Sequence, residues 1–251
     1  MFRIRLQLTH FLCALLLAPP LFAAETITPK NPAPAASPDL NLAGASVTYL
    51  ADLDLLVFEQ RVAGRAGGVS LRPNGALNGA PVLGHVFPTT LKPQDVGFVA
   101  TEGIVALAVT IHPDFDDTPL WDENDNRKYD DDGAIFHTHW VVLGPDPRVA
   151  GGLSVKEIKM EEMATVLPPT HCGMHMLMDA PGFSVLLRDA SIRVLVPAQR
   201  VNHRKDFKFD AVTAYMEVST DAGKPMLGVY EVYSVLSQNL SLPYAVTTAA
   251  P

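Results

Sequence analysis

Short apolar runs rich in Val, Ile, Leu, Phe and Tyr recur along the chain, each bounded by Gly, Pro, Asn or Asp. That punctuation specifies strands rather than long helices. The pattern places strands at residues 53–62, 103–111, 135–143, 183–187, 192–196, 212–218 and 226–236, and residues 188–191 read as a hairpin turn between two of them. Seven or more strands without regular helical partners predict an all-β fold. The form expected is an antiparallel β-sandwich or barrel-like fold with long loops and at most one or two short helices. The ambiguous stretch is 154–164. Ser154 and Glu157 have capping-box spacing and start a short helix there, unless the segment forms another strand.

The first 24 residues follow a different pattern. Arg3 and Arg5 precede an apolar stretch at 11–17, followed by Pro19, Pro20 and the small residues Ala23 and Ala24. That order reads as a signal peptide cleaved near Ala24, which sends the mature chain to the periplasm or outside the cell. The apolar run is shorter than the roughly 20 residues a bilayer requires, and no later run is longer, so the mature chain is expected to have no membrane span. Cys13 lies inside the run rather than at its end, which argues against lipid attachment there. Residues 25–44, containing PKNPAPAASP, read as a flexible Pro/Ala-rich linker. Residues 45–251 then suit a single β-rich, metal-binding domain.

Removing the signal leaves 17 basic against 27 acidic side chains, a net charge of −10. A chain of that sign has no basic face for phosphate, so nucleic acid is excluded as a partner. It also leaves Cys172 as the only cysteine, so no internal disulfide forms. An unpaired thiol in an oxidising compartment is open to oxidation unless it is buried or holds a soft metal.

Nine of the carboxylates crowd into residues 114–132, against only Arg127 and Lys128. Such crowding repels itself unless solvent or a cation neutralises it. Asp122, Asn124, Asn126 and Asp130 fall at positions one, three, five and nine of a calcium loop, with the Lys128 carbonyl at position seven. Arg127 stands where an EF-hand has Gly, and Gly133 where it has the bidentate Glu. Calcium binding and a solvated acidic loop both remain open readings.

Directly after this loop comes Ile135-Phe136-His137-Thr138-His139-Trp140. In a strand, His137 and His139 share one face about 6–7 Å apart and reach one metal without backbone distortion, while Phe136, Thr138 and Trp140 face the core. Neutral imidazole suits copper, zinc, iron and nickel alike. Further on, LPPTHCGMHMLMDAPG places His171, Cys172, Met174, His175, Met176 and Met178 within eight residues, in a segment whose Pro168, Pro169 and Gly173 mark it as a loop. Thiolate and thioether are soft donors that favour Cu(I), so the mixture with imidazole points to copper as the cofactor. Of the other histidines, His85 in LGHVFP reads as a core residue and His203 in NHRKD as an exposed one. His112, at a strand end just before the acidic loop, is a further candidate ligand.

Cys172-Gly173-Met174-His175-Met176-Leu177-Met178 is similar to the ligand loop of cupredoxins, in which Cys, His and Met follow one another at short gaps. The resemblance covers seven residues. It implies Cys172, His175 and Met178 as copper ligands, with Met as the weak axial one and the remaining histidine supplied by His137 or His139.

Three function classes follow. The first is an exported copper-binding protein for tolerance, delivery or electron transfer, with another periplasmic metal-handling protein as a partner. The second is a metalloenzyme in which His137, His139 and His175 or His171 leave a coordination position open. The third is a calcium-stabilised binding or adhesion module. No nucleophile elbow, Ser/His/Asp spacing or phosphate-binding Gly loop is found.

Overall fold

The computed structural model describes residues 26–116, 126–128, 133–171 and 173–249. Residues 1–24, read above as a signal peptide, and Cys172, Asp122, Asn124 and Asp130 lie outside them.

The chain forms a first hairpin, β1 (Leu42–Leu50) and β2 (Leu55–Val62), then three long strands, β3 (Pro81–Pro88), β4 (Ile104–Ile111) and β5 (His137–Pro145). The short β6 (Leu153–Val155) and β7 (Met178–Asp179) precede a second hairpin, β8 (Ser184–Arg188) and β9 (Ser191–Pro197). After β10 (Lys208–Phe209) come the long β11 (Val212–Val218) and β12 (Leu227–Val235), and finally β13 (Tyr244–Ala245) and β14 (Thr247–Thr248). Among the described residues the one α-helix is α1 (Met163–Val166), so none is long and apolar enough to cross a membrane.

Six strands close into an antiparallel barrel in the order β4-β3-β11-β12-β6-β5, with β5 pairing back onto β4 and β7 added to β5 on its other edge. Against one wall lies a five-stranded sheet, β14-β1-β2-β9-β8, so the molecule is both barrel and sandwich. Its β14 runs parallel to β1. The barrel wall between the two is apolar on both faces, which is why β3 is buried along its whole length and β4 except at its ends. Alternation sends Val105, Leu107 and Val109 outward to the sheet and Ala106 and Ala108 into the barrel.

The core between wall and sheet is centred on Phe58, which meets Phe87 (5.4 Å) and Trp140 (6.4 Å) edge to face. Gln60 on β2 ties the layers together: its amide Nε2 donates to the Val86 carbonyl (2.8 Å) and its Oε1 accepts from His85 Nδ1 (3.1 Å). Burial lowers the His85 imidazole to about 4, so the ring is neutral. His85 is thus the satisfied core residue the sequence predicts.

The predicted strands form with shifts of at most two residues at their ends, and 212–218 coincides with β11. β1 and β3 were not among them, because Gly44, Ala45, Gly84 and His85 dilute their apolar runs. Of the two readings of 154–164, the strand holds at its start and helical turns form only at its end. Ser154 lies in β6, where it pairs with both Gly144 and Gly228, and helical turns begin only at Met160. The pairing partners on both sides override the local capping signal.

The stretch read as a flexible linker is tied down. Buried Glu217 accepts from the backbone N–H groups of Lys30 (2.8 Å) and Asn31 (2.9 Å), and the Pro34 carbonyl accepts from Tyr233 Oη (2.9 Å). Ile27 donates to the Arg148 carbonyl (2.6 Å), and Leu40 is fully buried. A Pro-rich segment has few backbone donors of its own, so side chains of the barrel supply the partners.

Candidate metal centre

The β4–β5 ladder sets Thr110 opposite His137 and Ala108 opposite His139. Alternation turns all four side chains into the barrel, and His112, two residues past Thr110, continues the same face. The backbone N–H of His112 donates to the Gly133 carbonyl (2.8 Å), which holds the chain in line beyond the end of β4. His112, His137 and His139 are each no more than 2 % exposed. Each offers one ring nitrogen to a group whose members all lie within 4.8 Å of one another. Ring centroids are 4.3 Å apart for His112 and His137 and 4.9 Å for His137 and His139, with both pairs near perpendicular.

Second contacts fix two of the rings. His112 Nδ1–H donates to the Phe115 carbonyl (2.7 Å) and His137 Nδ1–H to the Ile135 carbonyl (2.9 Å). A carbonyl only accepts, so each neutral ring carries its proton on Nδ1 and its lone pair on Nε2. Those two Nε2 atoms lie 2.6 Å apart. At that separation the two nitrogens share a proton or another cation, since two lone pairs facing each other would repel. Carbonyl-oriented imidazoles of this kind are the usual support of metal-binding histidines. Around a tetrahedral ion with Zn–N bonds of about 2.0–2.1 Å, ligand nitrogens stand roughly 3.3 Å apart, so the pair needs to part by less than an ångström.

Two further residues shape this corner. Phe115 stacks on the His112 ring (4.3 Å, 11°). Gly133, at φ 89°, lets the chain pass so close that a Cβ there would strike the carbonyls of Phe115 and His112 and come within 2.7 Å of His112 Nδ1. A side chain at this position would displace the ring.

His112 and His139 also line a chamber inside the barrel, with an empty volume of about 980 Å³ including its opening. Its walls are Val, Leu, Ile and Ala, with Met174, Met176, Met178 and Met216. Among the described residues, Thr110, His112 and His139 are the polar side chains on it. Small inward residues, Gly84, Ala108 and Ala214 among them, leave the six-stranded barrel unfilled.

The structure therefore brings together His137, His139 and His112 of the predicted ligands and sets Met174, Met176 and Met178 on the same chamber. His171 and His175 are half-buried and do not join the three-histidine group. Of the predicted calcium residues, Asn126 and Lys128 are described: the Lys128 N–H donates to Asn126 Oδ1 (2.7 Å), and Arg127 between them has φ 65°. Asp114, from the same acidic stretch, accepts from the N–H groups of Asn74 (2.9 Å) and Gly75 (2.6 Å).

Sequence reasoning passed over Thr110, Phe115 and Gly133. Thr110 was legible in principle, since residues 106, 108, 110 and 112 share the period-two face that ends on His112. Compared with family models, curated proteins and solved structures, the chain matches none.

Proposed function

We propose that this chain is an exported metalloprotein in which His112, His137 and His139 hold one transition-metal ion, copper first, with a coordination position open to the barrel chamber. The observation that carries this reading is the convergence of one ring nitrogen from each of three buried histidines within 4.8 Å, two of the rings being fixed by backbone carbonyls. Three neutral nitrogen donors suit Cu, Zn, Fe and Ni and exclude calcium and magnesium, which take oxygen. Three protein ligands with a free position are the arrangement of catalytic rather than structural ions, so a metal-dependent enzyme fits this geometry best.

Copper tolerance or delivery is the second reading, favoured by the four methionines on the same chamber, whose thioethers are soft donors. The signal-like N-terminus supports an extracytoplasmic setting for either.

The test is metal titration of the purified chain, followed by spectroscopy of the Cu(II) form. One equivalent of copper with nitrogen hyperfine structure is expected, and binding should drop at least tenfold in His139→Ala and in His137→Ala. Unchanged copper affinity in a His137→Ala/His139→Ala double variant would refute the site.

A further inference from the structure

We propose that the barrel chamber binds a monocarboxylate with a hydrocarbon body, its head on the histidine-held ion and on the Thr110 hydroxyl and its tail among the barrel's interior side chains. This rests on the three-histidine reading above.

The body of the ligand follows from the walls. Val82, Val86, Val141, Val212, Leu227 and Val229 face the space, and no Asp, Glu, Lys or Arg is among the described residues that line it. An apolar lining with a few convergent polar groups is the composition of small-molecule sites.

The head group follows from two observations. A divalent ion on three neutral imidazoles keeps its full charge in a low-dielectric interior, and none of the described wall residues compensates it. A ligand that brings one negative charge to the open position is favoured over a neutral one. In addition, Thr110 Oγ1 is buried without a hydrogen-bond partner although it lies on the chamber wall. It stands directly across the ladder from His137 on the histidines' face. A buried hydroxyl left without a partner is costly, and a carboxylate oxygen gives it one. Gly84 lets the Met216 methyl group lie beside Thr110, since a Cβ there would meet Met216 Cε at 2.7 Å and Thr110 Cγ2 at 3.7 Å.

The apolar lining continues to the rim. Val232 is exposed, and Leu240 and Leu242, half-buried on the chamber, come from a strap in which Gln238, Leu240 and Leu242 all have left-handed φ (68°, 55°, 51°). Leucine rarely takes this conformation. Here it aims two apolar side chains at the opening.

The experiment uses the full chain loaded with Co(II), whose visible spectrum reports a new ligand on the ion. Decanoate should change the spectrum and bind roughly 15-fold more tightly than octanoate, which has two fewer methylenes. Acetate should have no effect at the same concentration. Ala214→Phe, which fills the chamber from β11, separated from β4 by β3, should abolish the chain-length dependence while cobalt still binds. The isosteric Thr110→Val should weaken decanoate by about five- to tenfold and leave cobalt affinity unchanged, which serves even if Ala214→Phe does not fold.

Acetate binding as well as decanoate, or decanoate affinity equal in wild type and Thr110→Val, overturns the proposal and leaves the metal site standing. A wild-type chain that takes up no cobalt overturns both.

Discussion

Acidification offers a quantitative test of how the barrel is joined to its covering sheet. His85 is 1 % exposed and donates to Gln60 Oε1, and burial lowers it from an ordinary 6.5 to about 4. A histidine whose folded value lies below its unfolded one contributes stability that is fully present above the unfolded value and is lost as pH falls towards the folded one. At about pH 4.5 the unfolded ring is almost wholly protonated while the folded ring is still mostly neutral. With 1.36 kcal/mol per pH unit, this side chain accounts for about 2.5 kcal/mol of the stability lost between about pH 7 and pH 4.5. That is a large share of the 5–15 kcal/mol typical of a folded domain.

Urea denaturation of wild type and His85→Asn at the two pH values isolates this contribution. Asparagine keeps a donor for Gln60 but does not titrate, so the variant is less stable at neutral pH from lost packing and less sensitive to acid. Other acid-labile groups act in both proteins and cancel in the comparison. The reasoning is refuted if the two proteins lose the same free energy on acidification. A changed denaturant slope in the variant would signal altered compactness instead.

Three more predictions concern single positions. Gly133→Ala, which forces a Cβ against the His112 ring at a left-handed backbone position, should lower copper affinity at least tenfold and reduce the melting temperature, as read by titration and calorimetry. Asp179 is 1 % exposed, and burial pushes its carboxyl up while Thr170 and the Arg200 guanidinium, 4.0 Å away, oppose this. An acid whose folded value is raised adds stability only below its unfolded value and loses it as pH rises through the folded one, so Asp179→Asn should raise the melting temperature at neutral pH, and the gain should shrink in acid. Arg148 grips buried Asp146 through Nε (2.9 Å) and a terminal guanidinium nitrogen (2.7 Å), so Arg148→Ala should destabilise by about 1–3 kcal/mol in chemical denaturation, from the carboxylate left without its partner. Equal stability of variant and wild type would show that solvent replaces the guanidinium.

The local chemistry of the site was written in the order of the residues. His137 and His139 share a face in any strand, because side chains alternate with period two, and the even-numbered run from Ala106 to His112 carries the same information. Composition and turn residues likewise determined that the chain is built from strands and where most of the longer ones lie. These properties depend on neighbours one to four positions away, so the sequence by itself decides them.

The remaining features depend on which strand edges meet. The β4–β5 register places His112 beside His137 across 25 positions of chain, and closure through β3, β11, β12 and β6 makes the space those rings face. Pairing of β6 with two neighbours overruled the helix signal at Ser154, and Glu217 on β11 drew in an N-terminal segment that composition alone reads as free. A period-two pattern says which residues share a face but not what that face meets. Only the folded barrel decides that this one meets other imidazoles and an apolar interior.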